Sequence, residues 1–105
     1  MVRELSEMLT ARIVAGLAGV RDPLQVCEWA EGSAIPPSES QSRLRFAYEV
    51  LSEIQMARRT NIAQAWALTV NPRLSYLSPV KAIREGRFTE TKAAAKALLE
   101  DAYDG

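Results

Sequence analysis

The side chains that most often carry out chemistry are scarce in this chain: among 105 residues there is no histidine and a single cysteine, Cys27. Without histidine the commonest general base and the commonest metal ligand are both missing. One thiol and scattered carboxylates assemble neither a zinc site nor a Cys-His nucleophile. No glycine-rich phosphate loop is present either. The expectation is a protein that is not an enzyme and that needs no cofactor and no metal. Cys27 follows Val26 on a short helical stretch and reads as an inert packed thiol. What remains is recognition by charge and by apolar surface. Glu100, Asp101 and Asp104 gather with the terminal carboxylate at the end of the chain, where acids oppose a helix dipole. Lys81, Arg84, Arg87, Lys92 and Lys96 form a basic set just before them.

The elements that must position these groups are all helical. A short helix is expected over 4–9. Thr10 then caps "ARIVAGLA", whose apolar face is Ile13, Val14, Leu17 and Ala18 and which Gly19 ends. After Asp22, Pro23 takes the first position of a helix closed by Gly32. "SAIPP" is a loop. Ser38 and Gln41 have capping-box spacing at the head of the longest helix, which runs to about residue 57. Leu44, Ala47, Tyr48, Leu51 and Ile54 form its core stripe. Phe46, Val50 and Ala57 form a second apolar face, a hint of a partner or a second copy. Thr60 is expected to cap the helix that Asn71-Pro72 halts at Val70. Ser78 and Pro79 start a helix that stops at Gly86, and "TETKAAAKALLEDAY" makes the last one. Trp29 and Trp66, on helices, are expected as core anchors.

Size and composition agree with a single all-α domain. About half the residues are apolar (48%), enough to fold at this length but with modest stability alone. No apolar run reaches the ~18 residues of a membrane span, and the acids within "MVRELSEMLTAR" are unlike a signal peptide. A lone cysteine forms no internal disulfide, which fits a reducing cytoplasm. The formal net charge of zero excludes a whole-domain basic field for non-specific nucleic-acid binding.

Two constellations suggest partners. The two short helices of residues 10–32, with Ala15, Gly19, Val26, Trp29 and Gly32, resemble the helix-turn-helix of Xre-type repressors, whose second helix enters the major groove. Arg21 and Gln25 are placed to reach bases or phosphates, and Arg12 and Arg43 to reach the backbone. Asp22, Glu28 and Glu31 carry the wrong sign for DNA, so the unit is either a DNA reader or a scaffold and dimer surface.

From about residue 62 the chain resembles the toxin-binding domain of the Xre/MbcA/ParS antitoxin family. The resemblance rests on Trp66, "NPRL" at 71–74, "LSP" at 77–79 followed by "VKAI", Gly86, and a last helix ending at "YDG". The preceding Xre-like half matches the family's usual N-terminal portion. After the leucine the family often has small residues or glycines, where this chain has Ser75 and Tyr76.

The resemblance implies a helix-turn-helix region with its long connecting helix over 1–58 and a toxin-binding domain over 59–105. It implies a type II antitoxin that neutralises a cognate RES-domain, NAD-degrading toxin by occluding its active site. The implied partners are that toxin, copies of the chain in a homodimer or hetero-oligomer, and operator DNA through which it regulates its own operon. Toxin contact then falls to Glu100, Asp101, Tyr103, Asp104, Gly105, Lys81 and Arg84, with the acids either mimicking a pyrophosphate or solvating the terminus. Tyr103 either anchors that contact or packs on Leu99. The alternative is a free-standing helix-turn-helix transcriptional regulator.

Overall fold

The computed structural model describes residues 1–101, and over these the chain is all-α. Seven α-helices follow one another: α1 (Val2–Leu9), α2 (Ala11–Ala18), α3 (Pro23–Glu31), α4 (Ser38–Ala57), α5 (Thr60–Leu68), α6 (Pro79–Arg84) and α7 (Phe88–Glu100). A 3-10 turn, Pro72–Leu74, separates α5 from α6.

Helix α2 lies at the centre, packed on by α1, α3, α4 and α6. Its Val14, Ala15, Leu17 and Ala18 are all buried. Thr10 starts it, with Oγ1 accepting from the Ile13 amide at 3.4 Å. Gly19 ends it at φ +88°, with the Val20 amide bonded back to the Ala15 carbonyl at 3.0 Å in a Schellman closure. That closure leaves the Ala18 carbonyl unmatched inside the fold, and α4 supplies what it lacks. The buried Ser40 hydroxyl donates to it at 2.9 Å and Arg43 Nη1 at 3.3 Å. These two long-range bonds lock α4 over the end of α2.

One apolar core runs through both halves of the chain, from Val2 on α1 to Ala95 on α7. Leu44, Ala47, Leu51 and Ile54 are the buried stripe of α4, as their spacing predicts; Tyr48 is half-buried beside them. The second face of α4 is largely consumed inside the chain. Phe46 stacks on Phe88 with ring centroids 4.5 Å apart, and Val50 is buried, so only Ala57 of that set is exposed. A smaller cluster of Leu74, Ala82 and Ala94 joins the 3-10 turn to α6 and α7 through Trp66 and Leu77.

Several sequence expectations are corrected. Ser38 and Gln41 form no capping box, because the helix begins one residue earlier than that motif needs. Pro37 is the N-cap, and Gln41 Nε2 donates to the Pro36 carbonyl at 2.7 Å. Thr60 is the first helical residue of α5 and not its cap; its hydroxyl accepts from Gln55 Nε2 at 2.7 Å. Helix α5 stops at Leu68, two residues before Val70, and Thr69 Oγ1 donates to the Ala65 carbonyl at 2.6 Å. The first helix starts at Val2, and the last spans Phe88–Glu100.

No described helix is long and apolar enough to cross a membrane.

At Gly19 two costs coincide: a left-handed φ, and a Cβ that would stand 2.8 Å from Arg43 Nη1. Gly32 has a similar φ of +83° with open space around it. Gly19→Ala is expected to cost about 2 kcal/mol and Gly32→Ala about 1 kcal/mol, the excess being the displaced Arg43 hydrogen bond. Urea denaturation checks this, and the excess should vanish in an Arg43→Ala background. Equal costs in the unmodified chain would remove Arg43 from the closure of α2.

Candidate functional site

The loop after α5 is built around Asn71. Its side-chain oxygen accepts from the Arg73 amide at 2.9 Å, which caps the 3-10 turn. Its carbonyl accepts from Leu74 and Tyr76, and its amide donates to the Leu77 carbonyl at 3.0 Å, forming an isolated antiparallel bridge. Leu74 is driven fully into the small cluster below. Ser78 Oγ then accepts from the Lys81 amide at 3.2 Å and starts α6 with Pro79 at its first position. The prolines punctuate helices, as expected, and asparagine holds what lies between them.

Closing so short a loop forces Ser75 to φ +55° and Tyr76 to φ +65°. Left-handed backbone is uncommon outside glycine and is costliest for bulky side chains. Tyr76 nevertheless presents its ring outward, 69% exposed. Leu74 and Asn71 hold the loop in that conformation, but the Tyr76 ring itself gains no burial from it, so the position is a candidate for contact with something outside the chain.

Beside this loop, α5 and α7 leave an apolar groove of about 340 Å³, floored by Trp66 and lined by Ile62, Val70, Pro72 and Leu98. A second recess of about 210 Å³ shares Trp66, Asn71 and Leu98 with it and adds Arg73 and Asp101. Trp66 is only half-buried: it packs on both core clusters and also forms the floor of the groove. Arg58, in the link between α4 and α5, donates from Nη2 to the Leu98 carbonyl at 3.2 Å and so ties α7 to that side of the groove. A larger recess of about 510 Å³ shares no residue with these two and lies beside Trp29, Ile35 and Arg45.

The expected toxin-contact residues separate in space. Asp101 is exposed at the end of α7 and borders the recess with Trp66 and Arg73. Glu100 is exposed, with Lys96 Nζ 3.9 Å from its carboxylate. Lys81 and Arg84 are exposed on α6 and line neither the groove nor its side recess. Tyr103, Asp104 and Gly105 lie outside the described residues.

The expected DNA-contact residues also divide. Arg12, Arg21 and Gln25 are exposed on α2, the α2–α3 connection and the first turn of α3. Arg43 is half-buried and committed to the Ala18 carbonyl, with Glu39 3.9 Å away, so its first role is structural. The outward face of α3 carries Leu24, Gln25, Cys27, Glu28 and Glu31, all exposed. Cys27 is therefore a surface thiol and not a packed one: the helix turns Val26 and Trp29 inward, and position 27 falls on the opposite side.

Sequence reasoning missed Arg73 and the Ile62, Trp66, Val70 stripe. The available signal was the four-residue spacing of three large apolar side chains across a short helix and its exit.

If Tyr76 is held in strain for an external contact, Tyr76→Asn should leave the fold intact and raise stability by about 0.5–1 kcal/mol, since asparagine tolerates left-handed backbone. Leu74→Ala, by contrast, should cost about 2–5 kcal/mol as a buried truncation. Thermal unfolding of both variants decides; a clear loss of stability in Tyr76→Asn would show the ring to be an internal packing group. Comparison of the chain with protein-family models, with curated proteins and with solved structures finds no match.

Proposed function

We propose that the chain is an antitoxin of the Xre/MbcA/ParS kind, which binds and neutralises a RES-domain, NAD-degrading toxin. The observation that carries the reading is the backbone of the "NPRL" loop. The positions where that family often has glycines or small residues are occupied here by Ser75 and Tyr76, and both have positive φ. A loop whose geometry asks for small residues at those two places is what the resemblance leads one to expect. The spacing from Trp66 through Asn71, Leu74, Ser78 and Gly86 also folds as one unit, with each residue in a defined structural role.

In this reading the antitoxin does no chemistry of its own. Its acidic end, beginning at Glu100 and Asp101, blocks a cleft whose basic groups otherwise hold the pyrophosphate of NAD⁺. Asp101 beside Trp66, with Tyr76 exposed on the neighbouring loop, would give such an interface both a negative charge and aromatic anchors. The partner is then the toxin in a hetero-oligomer, within the cytoplasm.

A second reading, operator binding through α2 and α3, is favoured by one observation: Arg12, Arg21 and Gln25 all face outward. Glu28 and Glu31 share the exposed surface of α3 and weaken any such contact. Alanine at both Arg21 and Gln25 should abolish selective binding to the upstream DNA if that reading holds. Retention of binding by the double variant would overturn it.

Co-expression with the protein of the adjacent reading frame, with cellular NAD⁺ monitored, tests the antitoxin reading. NAD⁺ should fall with the neighbour alone and be preserved when both are present. Glu100→Lys combined with Asp101→Lys, and separately deletion of residues 99–105, should release NAD⁺ breakdown. Full protection by both variants would sink occlusion by the acidic end.

A further inference from the structure

We infer that the recess beside Trp29 binds a small carboxylate carried on an apolar body. Arg3 and Arg45 supply the counter-charge, and the Trp29 indole N–H supplies a further hydrogen bond. The inference goes beyond the antitoxin reading and does not depend on it, since the recess contains neither Glu100 and Asp101 nor any residue of the loop over 71–74.

Three helices and one loop build the recess. Arg3 lies in the first turn of α1, Trp29 near the end of α3, and Gln41 and Arg45 one turn apart on α4. Ile35 and Pro36 come from the loop between α3 and α4. The fold sets these walls before any ligand is present. Val2 and Trp29 are buried in the core, and α1 packs on both α3 and α4. Gln41 Nε2 pins the loop by donating to the Pro36 carbonyl at 2.7 Å. A volume of about 510 Å³ is that of a small-molecule site.

Charge selects an anion. Arg3 and Arg45 are exposed, and neither has an ion-pair partner among the described residues. The described lining holds one acid, Glu4, whose carboxylate the N-terminal amine bonds at 2.6 Å, lowering its pKa. Glu4 is thus committed to a partner of its own, and both guanidiniums are left for a ligand. Each presents paired N–H donors that match a carboxylate. Trp29 adds a neutral donor. The residue is only 8% exposed, yet its indole N–H donates to no described residue. A buried indole N–H ordinarily finds an acceptor, and a ligand oxygen would be one.

The rest of the lining selects what carries the charge. Ile35 is 84% exposed beside Pro36, and a bare inorganic anion would leave that apolar surface in water. A nucleotide fails for the opposite reason. Its base edge needs several hydrogen-bond partners, and the Gln41 amide nitrogen is already spent on Pro36. One carboxylate on a hydrocarbon body matches both parts of the lining.

The test is a titration of the full-length chain with phenylacetate, followed by proton–nitrogen correlation NMR. Trp66→Phe assigns the two indole N–H signals. The Trp29 signal should move while that of Trp66 stays fixed, and the melting temperature should rise with probe concentration. Arg3→Gln and Arg45→Gln alter exposed positions, and each should weaken binding about tenfold. The neutral analogue phenylacetamide should lose at least as much. Unchanged affinity in both arginine variants, or equal binding of the amide, overturns the carboxylate assignment. Inorganic phosphate or adenosine monophosphate moving the Trp29 signal at lower concentration than phenylacetate overturns the apolar acid as the ligand class. A Trp29 signal that stays fixed at millimolar phenylacetate overturns the site.

Discussion

The fold depends on how one buried carbonyl is satisfied. Helix α2 ends in the interior, and a helix leaves its last carbonyls without intrahelical partners. Gly19 turns the chain and satisfies two of them through its Schellman closure, but the Ala18 oxygen needs donors from elsewhere. Ser40 and Arg43 provide them from one face of α4, three residues apart and so adjacent on the helix surface. An unsatisfied buried carbonyl costs about 1–3 kcal/mol, a large share of the stability available to a chain of this size. The closure therefore fixes both the crossing of α4 over α2 and its register. With α4 placed, Phe46 meets Phe88 and the link to α5 starts where Arg58 can reach α7.

That chain of constraint ends at the groove. Arg58 bonds the Leu98 carbonyl from one side, while Leu74 packs against Ala94 from the other. Helix α7 is thus held at a set distance from α5, and Trp66 fills only part of the space between them. Small residues on α7, Ala94 and Ala97, border the space, so the helix approaches the 3-10 turn without closing over the indole. The cavity is an outcome of rigid packing on both sides. It does not need a partner to open it, so an occupant would bind a surface already shaped.

Much of the architecture was legible because several signals agreed locally. Thr10 with Gly19, Asp22 with Pro23 and Gly32, and Ser78 with Pro79 and Gly86 each fix a helix start and stop through chemistry confined to a few residues. The errors fall where a side chain had two possible partners. Gln41 had the capping-box spacing, yet its amide found the Pro36 carbonyl, because Pro37 and not Ser38 stands at the cap. Thr60 gave its hydroxyl to Gln55 from the preceding helix, a contact that depends on how α4 and α5 meet. Cys27 looked packed because Val26 beside it is buried, but on a helix adjacent residues point about 100° apart. The groove was illegible for a related reason. Trp66 read as a core anchor, and its alignment with Ile62 and Val70 along one open face depends on the distance to α7.

The strained loop and the half-buried indole draw on the same reserve of stability. Left-handed backbone at Ser75 and Tyr76 and partial solvation of Trp66 are both unfavourable for the isolated chain. They persist because Leu74 is fully buried and because Asn71 spends its amide, carbonyl and side-chain oxygen on the loop. Those contacts over-determine the conformation, which is the condition under which local strain survives folding. A backbone already fixed in an unfavourable place would lose little further freedom if a partner covered it. The groove is likewise already formed in the isolated chain. The cost of presenting Tyr76 and Trp66 is therefore carried by folding, and whatever they gained on contact would be available to binding.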